Sequence, residues 1–403
     1  MSHVEDFQRW IGEVMPRIIE NLGLDVDKVR YEIFEFGSIC IMSNLYRVSL
    51  QFENKTNGQN EVLSVILKRP MLGLNQLAKI DRQFHNEILF YQMYTRPDEI
   101  YARCLYAEKR PPIDSVIALE DVNERGYFSC PYLHDPPLEY TLAAMRELGR
   151  FHGKGYAMKE LQREKFFDIV GQIETVRYEK RVENLYEAYS NIHSVRAVEY
   201  LRSLQGCDAI FCDKMETLLS NSFDEVMMKT VQPLEPLATL CHGDFTLGNI
   251  LFKTEDDGQY RTMLIDFTLI MYSTPVVDLS TYLLMYCSNE VRKDKFFEIM
   301  RAYHDALKEY LLDVGIQNIE RYSYNALLED FRRGALFGFI LTCVFLPVLL
   351  GYLSPEVLVR EMIDLGPLES AKKLKYTGGK KVSKILAEAL LHLRDLGCLK
   401  HVL

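Results

Sequence analysis

The sequence predicts an α+β protein of two lobes, a strand-rich N-terminal one and a mainly helical C-terminal one. Three observations carry this expectation. Apolar residues alternate with polar ones through several short segments of the first lobe. Beyond residue 137 the apolar spacing lengthens to the helical period for most of the chain. Embedded in that helical part is a short β-like island whose connecting loops hold acidic and amide side chains.

The elements follow in order. Val4, Phe7, Ile11, Val14, Ile18 and Leu22 stand at helical spacing and predict an amphipathic helix over 4–22. Residues 29–36, 44–52 and 60–68 predict strands, parted by turn-rich stretches such as Asn54-Lys55-Thr56-Asn57-Gly58. A helical pattern returns over 76–94, and two further strands are expected at 102–107 and 115–120. The N-terminal lobe, 1–122, is thus expected to hold five strands, and residues 123–403 to form the second lobe. After a loop at 123–137, helices are predicted near 138–159, 174–203, 208–230, 276–286, 290–313 and 324–350. The island comprises 237–241, 250–253 and 262–267, with Asp256-Asp257-Gly258 as a turn. A ligand is expected in the cleft between the lobes.

Composition removes several function classes. The formal net charge of −10 repels phosphate backbones, so no nucleic-acid partner is expected. The nine cysteines form no Cys-x-x-Cys pair, which argues against zinc. Residues 1–16 carry acidic side chains and no apolar core, unlike a signal peptide. A reduced, cytoplasmic protein is the expectation. Residues 335–353 carry no charge and approach the length of a membrane span. Gly338, Thr342, Pro347 and Gly351 interrupt the run and no polybasic flank follows, so a buried helix is expected and no stable membrane insertion. The basic stretch Lys372–Lys384, with Gly378-Gly379, reads as solvated surface.

A small set of residues carries chemistry. Asp244 and Asn249 stand five apart in a loop between two apolar runs, and Asp266 follows the run Met263-Leu264-Ile265. Lys68 closes the strand Leu63–Leu67, and Glu87 lies on the next helix. Phosphoryl transfer asks for such a kit. Magnesium prefers carboxylate and amide oxygens, a lysine holds phosphates, a carboxylate orients that lysine, and another accepts the acceptor's proton. Arg69 competes with Lys68 for the phosphate role, although alternation favours Lys68 because Val65 and Leu67 share the opposite face. Asp81 competes with Glu87 as the partner. His152, inside an apolar helical pattern, reads as a packed core histidine.

His242-Gly243-Asp244 with Asn249, followed by Ile265-Asp266-Phe267, resembles the motif of the aminoglycoside phosphotransferase and choline kinase superfamily. Protein kinases share the spacing but place Arg where Gly243 stands, Lys where Thr246 stands, and Gly where Thr268 stands. Tyr46-Arg47-Val48, Phe84-His85-Asn86-Glu87 to Tyr91, Leu119-Glu120-Asp121, Leu148 to His152, Asp266-Phe267 to Pro275 and Asp278-Leu279 look like the insect ecdysteroid kinase-like family. The resemblance implies a two-lobed protein-kinase-like fold with ATP and Mg2+ as cofactors. It implies Asp244 as catalytic base, Asn249 and Asp266 as magnesium ligands, and Lys68 on the α- and β-phosphates with Glu87 as its ion-pair partner. Gly37 and Ser38 would begin the phosphate loop, and Glu120, Asp121 and Val122 would form the hinge that meets adenine. Asp278 would brace the catalytic loop, and His242 would support it by hydrogen bonds.

The resemblance also implies an alcohol on a small molecule, an ecdysteroid or another lipophilic compound, as acceptor. A choline-type or aminoglycoside-type acceptor stays open, and so does a pseudokinase scaffold, because the loop Gly37–Asn44 holds one glycine. Tyr178, Tyr186, Tyr189, Phe337, Phe339 and Phe345 are compatible with an apolar acceptor pocket, although most are expected in the core. The sequence is silent on oligomeric state.

Overall fold

The structure, a computed structural model, describes residues 3–35, 43–54, 58–71, 73–96, 99–180 and 184–402. The chain divides into two compact units, Met1–Tyr127 and Phe128–Leu403.

The first unit runs α1 (His3–Asn21), β1 (Arg30–Glu35), β2 (Ser43–Glu53), β3 (Asn60–Pro70), α2 (Asn75–Ala78), α3 (Ile80–Leu89), β4 (Cys104–Glu108) and β5 (Val116–Glu120). The strands form one antiparallel sheet in the order β1-β2-β3-β5-β4. The predicted helix over 76–94 is broken: Lys79 between α2 and α3 adopts a left-handed φ of 54°, and Phe90–Tyr94 widens into a π-turn. Trp10, Ile11, Val14, Met15, Ile18 and Ile19 of α1 pack on Val48, Leu50, Val65, Leu67, Val116 and Ala118 of the sheet. Each such burial contributes about 1.5–3 kcal/mol, which fastens the helix to that face. Alternation along β3 sends Val65, Leu67 and Arg69 to this face and Lys68 to the other. Arg69 pairs with Asp6 at 2.8 Å and Asp114 at 2.9 Å, and lies over the Trp10 ring. It ties α1 to the sheet, on the face opposite Lys68.

The second unit begins with β6 (Phe128–Ser129), α4 (Leu138–Leu161), α5 (Arg163–Gln172), α6 (Leu185–Ser194), α7 (Arg196–Arg202), α8 (Ala209–Leu219) and α9 (Met228–Thr230). It continues through β7 (Thr239–Cys241), β8 (Ile250–Thr254), β9 (Tyr260–Leu264), β10 (Met271–Ser273), α10 (Val276–Tyr286) and α11 (Asn289–Asp313). It closes with α12 (Tyr324–Gly334), α13 (Leu336–Leu349), α14 (Pro355–Leu374) and α15 (Gly379–Asp395). The predicted helix over 174–203 is a single 3-10 turn at Val176–Tyr178 followed by α6 and α7, with Asn184 capping α6 through Tyr186 N at 2.9 Å. The β-like island is two ladders. β7 pairs with β10, whereas β8 pairs with β9 and β6. Periodicity missed β6 and β10 because strands of two and three residues hold less than two repeats.

The apolar run 335–353 folds as α13 and the turn after it. Leu336–Val344 are all buried, and α13 bends by 54° from the segment Glu320–Gly334. No single helix among the described residues is long and apolar enough to cross a membrane. α13 packs on α10, and the contact depends on Gly338, where a Cβ would run into the Ser280 backbone. The basic stretch 372–384 joins α14 to α15, with Lys372, Lys373, Lys380, Lys381 and Lys384 exposed. Beneath it, buried Arg196 donates to the carbonyls of Lys375 at 2.9 Å, Thr377 at 2.8 Å and Gly379 at 2.7 Å. Charge patterning does not reveal this contact.

Gly338→Ala should force α10 and α13 apart and lower stability by about 1–3 kcal/mol, read as an earlier urea midpoint. An unchanged midpoint would mean that the helices are not held at this distance.

Candidate active site

In the second unit, the antiparallel β7–β10 ribbon sets where the loop Cys241–Asn249 begins. The loop is anchored at its first turn. Asp278, on α10, accepts from His242 N at 2.7 Å and from Gly243 N at 2.8 Å. His152 Nε2 donates to the same carboxylate at 3.0 Å, and its Nδ1 meets the Tyr303 hydroxyl at 2.8 Å. All of these groups are buried. A carboxylate taken from water is tolerated when its lone pairs are met in this way, each charge-assisted bond contributing about 1.5–3 kcal/mol. His152 is therefore a structural link, as its apolar surroundings predict.

His242 closes the other side. Its Nε2 donates to Ile265 O at 3.0 Å, and its Nδ1 accepts from Asp244 N at 3.3 Å, so both ring nitrogens are committed to the backbone. Gly243 sits at φ 77°, and a Cβ there would collide with the Leu269 carbonyl. A larger residue, such as the arginine protein kinases place at this point, does not fit this backbone.

Asp244 follows, with its side chain 31% exposed. Asn249 Nδ2 donates to Asp244 O and to Asp244 Oδ2, both at 3.0 Å. This fixes the Asn249 amide and leaves its oxygen as the group that can serve a cation. Burial, together with the nearby Asp266 carboxylate, pushes the Asp244 carboxyl above its ordinary range, opposed by Arg177, His242 and Asn249. Asp266 reaches the site through strand register. Ile250 pairs with Leu264, and Ile265 N donates to Asn249 O at 3.1 Å, so the residues just beyond the ladder meet. Asp266 adopts a left-handed φ of 63°, which few side chains other than Asp and Asn tolerate. Thr268 Oγ1 donates to Asp266 Oδ1 at 2.7 Å. Phe267 is buried against Phe151 and His242.

The structure thus brings Asp244, Asn249 and Asp266 together. The oxygens they offer, the Asn249 amide and the Asp244 and Asp266 carboxylates, are the hard donors that suit magnesium. Sequence reading missed Arg177, whose Nη1 lies 4.0 Å from Asp244 Oδ1. It belongs to no motif and stands on a one-turn segment without periodicity. Of the aromatic candidates, Tyr178, Tyr189, Phe337 and Phe339 are buried core, while Tyr186 and Phe345 are partly exposed.

In the first unit, Lys68 Nζ donates to Glu87 Oε2 at 2.6 Å, and both residues are buried. Glu87, rather than Asp81, is the partner. Glu120 ends β5 and accepts from Arg103 Nε at 2.8 Å and Arg125 Nη1 at 2.7 Å. Asp121 accepts from Ser64 Oγ at 3.0 Å, pairs with Arg47 at 2.8 Å and caps the turn Val122–Arg125. The N–H groups of Glu120 and Asp121 donate to Arg103 O and Ser64 O. Beside them lies a recess of about 560 Å³ walled by charged side chains, among them Glu99, Arg103, Glu124 and Arg125. Gly37 and Ser38 lie outside the described residues.

Glu87→Gln should destabilise the first unit by about 3–5 kcal/mol by removing the carboxylate 2.6 Å from the buried Lys68 ammonium, while Lys68→Met with Glu87→Leu should recover most of the loss. Urea midpoints of the single and double variants check this. A single variant as stable as the parent would show that the pair is open to water.

Comparison with known proteins identifies the family of the chain. No curated protein sequence matches the chain. Among solved structures, a GDP and kanamycin complex of APH(2")-IIia is 14% identical, with 90% of this chain and 98% of that chain covered and a TM-score of 0.42. A GDP complex of wild-type aminoglycoside 2'-phosphotransferase-IIIa is also 14% identical, with 92% and 97% covered and a TM-score of 0.44. The model of the ecdysteroid kinase-like family matches residues 40–316, well over half of the 403. The chain belongs to the ecdysteroid kinase-like family.

Proposed function

We infer that the protein is a phosphotransferase that moves the γ-phosphoryl group of ATP to an alcohol hydroxyl on a small, lipophilic molecule, with an ecdysteroid as the leading acceptor class. The observation that carries this reading is the convergence of Asp244, Asn249 and Asp266 on a loop braced by Asp278. Family membership supports the acceptor class.

The roles follow from the chemistry of the side chains. Asp244 Oδ1 accepts the hydroxyl proton, while its other oxygen is held by Asn249. Asn249 and Asp266 would hold magnesium, which when bound neutralises phosphate charge. Lys68 presents its ammonium to the α- and β-phosphates, and Glu87 keeps it extended. Glu120, Asp121 and Val122 form the hinge segment that meets the base. Positioning and electrostatics supply most of the acceleration, because a loose phosphoryl transition state asks for little covalent help.

Arg177 argues against a cationic acceptor. A buried guanidinium 4.0 Å from the base repels an approaching ammonium group, so a choline-type or aminoglycoside-type acceptor is disfavoured relative to a neutral alcohol.

The purified protein, incubated with magnesium, ATP or GTP, and a panel of steroid and amino alcohols, should add phosphate mass to a steroid alcohol. Asp244→Asn should lower that turnover by at least about 10²-fold with nucleotide affinity within a few-fold of the parent. Equal turnover by the variant would remove Asp244 as the base. Nucleotide binding without any phosphorylated product would leave a binding protein instead of an enzyme.

A further inference from the structure

Transfer of a phosphoryl group benefits from a cation beside the base, where three equatorial oxygens carry negative charge. In protein kinases the catalytic loop supplies it as a lysine, and here that position is Thr246. The loop cannot replace it from within. His242 has both ring nitrogens committed to the backbone, and the rest of Gly243–Asn249 carries no basic side chain.

Arg177 comes from another element. It sits on the 3-10 turn Val176–Tyr178, between α5 and α6, and its two neighbours are held in the core. Tyr178 stands against Phe223 and Phe337 at ring distances of 6.5 and 6.1 Å. The guanidinium lies over the Tyr186 ring at 4.9 Å, and the side chain is 9% exposed. Its Nε is buried without a hydrogen-bond partner. An unmet donor on a buried charge is costly, and an anion bound beside Asp244 would complete it. The distance to Asp244 points the same way. Charge-assisted Arg–carboxylate bonds commonly close to about 2.8 Å, often as two parallel bonds. At 4.0 Å the guanidinium stands beside the carboxylate without a direct hydrogen bond to it, so its donors are not taken up by the base. Against the cost of burial, Tyr186 and Asp244 hold Arg177 firmly protonated.

We propose that Arg177 is a catalytic residue of this site, whose guanidinium binds the equatorial oxygens of the transferring phosphoryl group beside Asp244. This rests on Asp244 as the base. The acceptor oxygen forms its bond to Pγ as the bond from Pγ to the β,γ-bridging oxygen breaks. The electron pair leaves on ADP, and the hydroxyl proton passes to Asp244. Arg177 exchanges no proton and neutralises charge throughout.

The test needs no knowledge of the acceptor. Dissociation of a fluorescent ADP analogue from the full-length protein is followed in magnesium, with and without fluoroaluminate, a planar mimic of the phosphoryl group in transit. The parent should release ADP at least about tenfold more slowly once fluoroaluminate is present. Arg177→Met should bind ADP within about threefold of the parent and lose that slowing, and Arg177→Lys should regain part of it. Arg177→Gln, which retains hydrogen-bonding capacity, serves if the Met variant does not fold. Full slowing in Arg177→Met or Arg177→Gln overturns the proposal. So does a parent that binds ADP but responds to no fluoroaluminate, since no cation then awaits the phosphoryl group. A parent that binds no nucleotide overturns the kinase reading itself, a separate and recognisable failure.

Discussion

The buried carboxylate of Asp278 is the constraint on which the site depends. It takes the first two amides of the loop, from His242 and Gly243, and the imidazole of His152, so α10, α4 and the loop share one charge. A charge removed from water must have its lone pairs filled, and that requirement is what makes the loop rigid. Everything downstream inherits this. Gly243 can turn only in the left-handed region, His242 can reach Ile265 only from that turn, and Asp244 then emerges with its backbone N–H tied to the His242 ring.

Antiparallel register completes the constellation. Asn249 and Asp266 are far apart along the chain, and the intervening hairpin returns one beside the other. The left-handed Asp266 is a local strain held by what surrounds it. Phe267 is locked between Phe151 and His242, and Thr268 holds the carboxylate. Strain at a candidate metal ligand is consistent with a side chain aimed by the fold rather than by its own preference.

The first unit shows how adjacent residues divide their tasks. Lys68 and Arg69 are both basic, both buried and one bond apart in sequence. The strand sends them to opposite faces, so one meets Glu87 and the other meets Asp6, Asp114 and Trp10. Alternation read from Val65 and Leu67 separates the pair, and the α1-facing side accepts Arg69 because Asp6 and Asp114 meet its charge. The same reasoning holds less well where elements are short. The strands β6 and β10 and the turn at Arg177 span too few residues for a period to register, and helix breaks at Lys79 and Asn184 depend on single backbone angles and caps.

The sequence by itself determined the order of the N-terminal strands, the amphipathic α1 and the burial of the first turns of the apolar run 335–353, and it singled out Asp244, Asn249, Asp266, Lys68 and Glu87 as candidates for chemistry, while α14 and α15 went unread. It could do so because helical and strand periods repeat over many residues and because hard-cation chemistry restricts the side chains available. Only the tertiary structure decided which of two acids meets Lys68, that β7 finds β10 rather than β8, that Gly243 is required by the Leu269 carbonyl, and that Arg177 stands beside the base. These are contacts between segments remote in sequence, fixed by burial and by the need to pair each buried polar group. No local pattern records them.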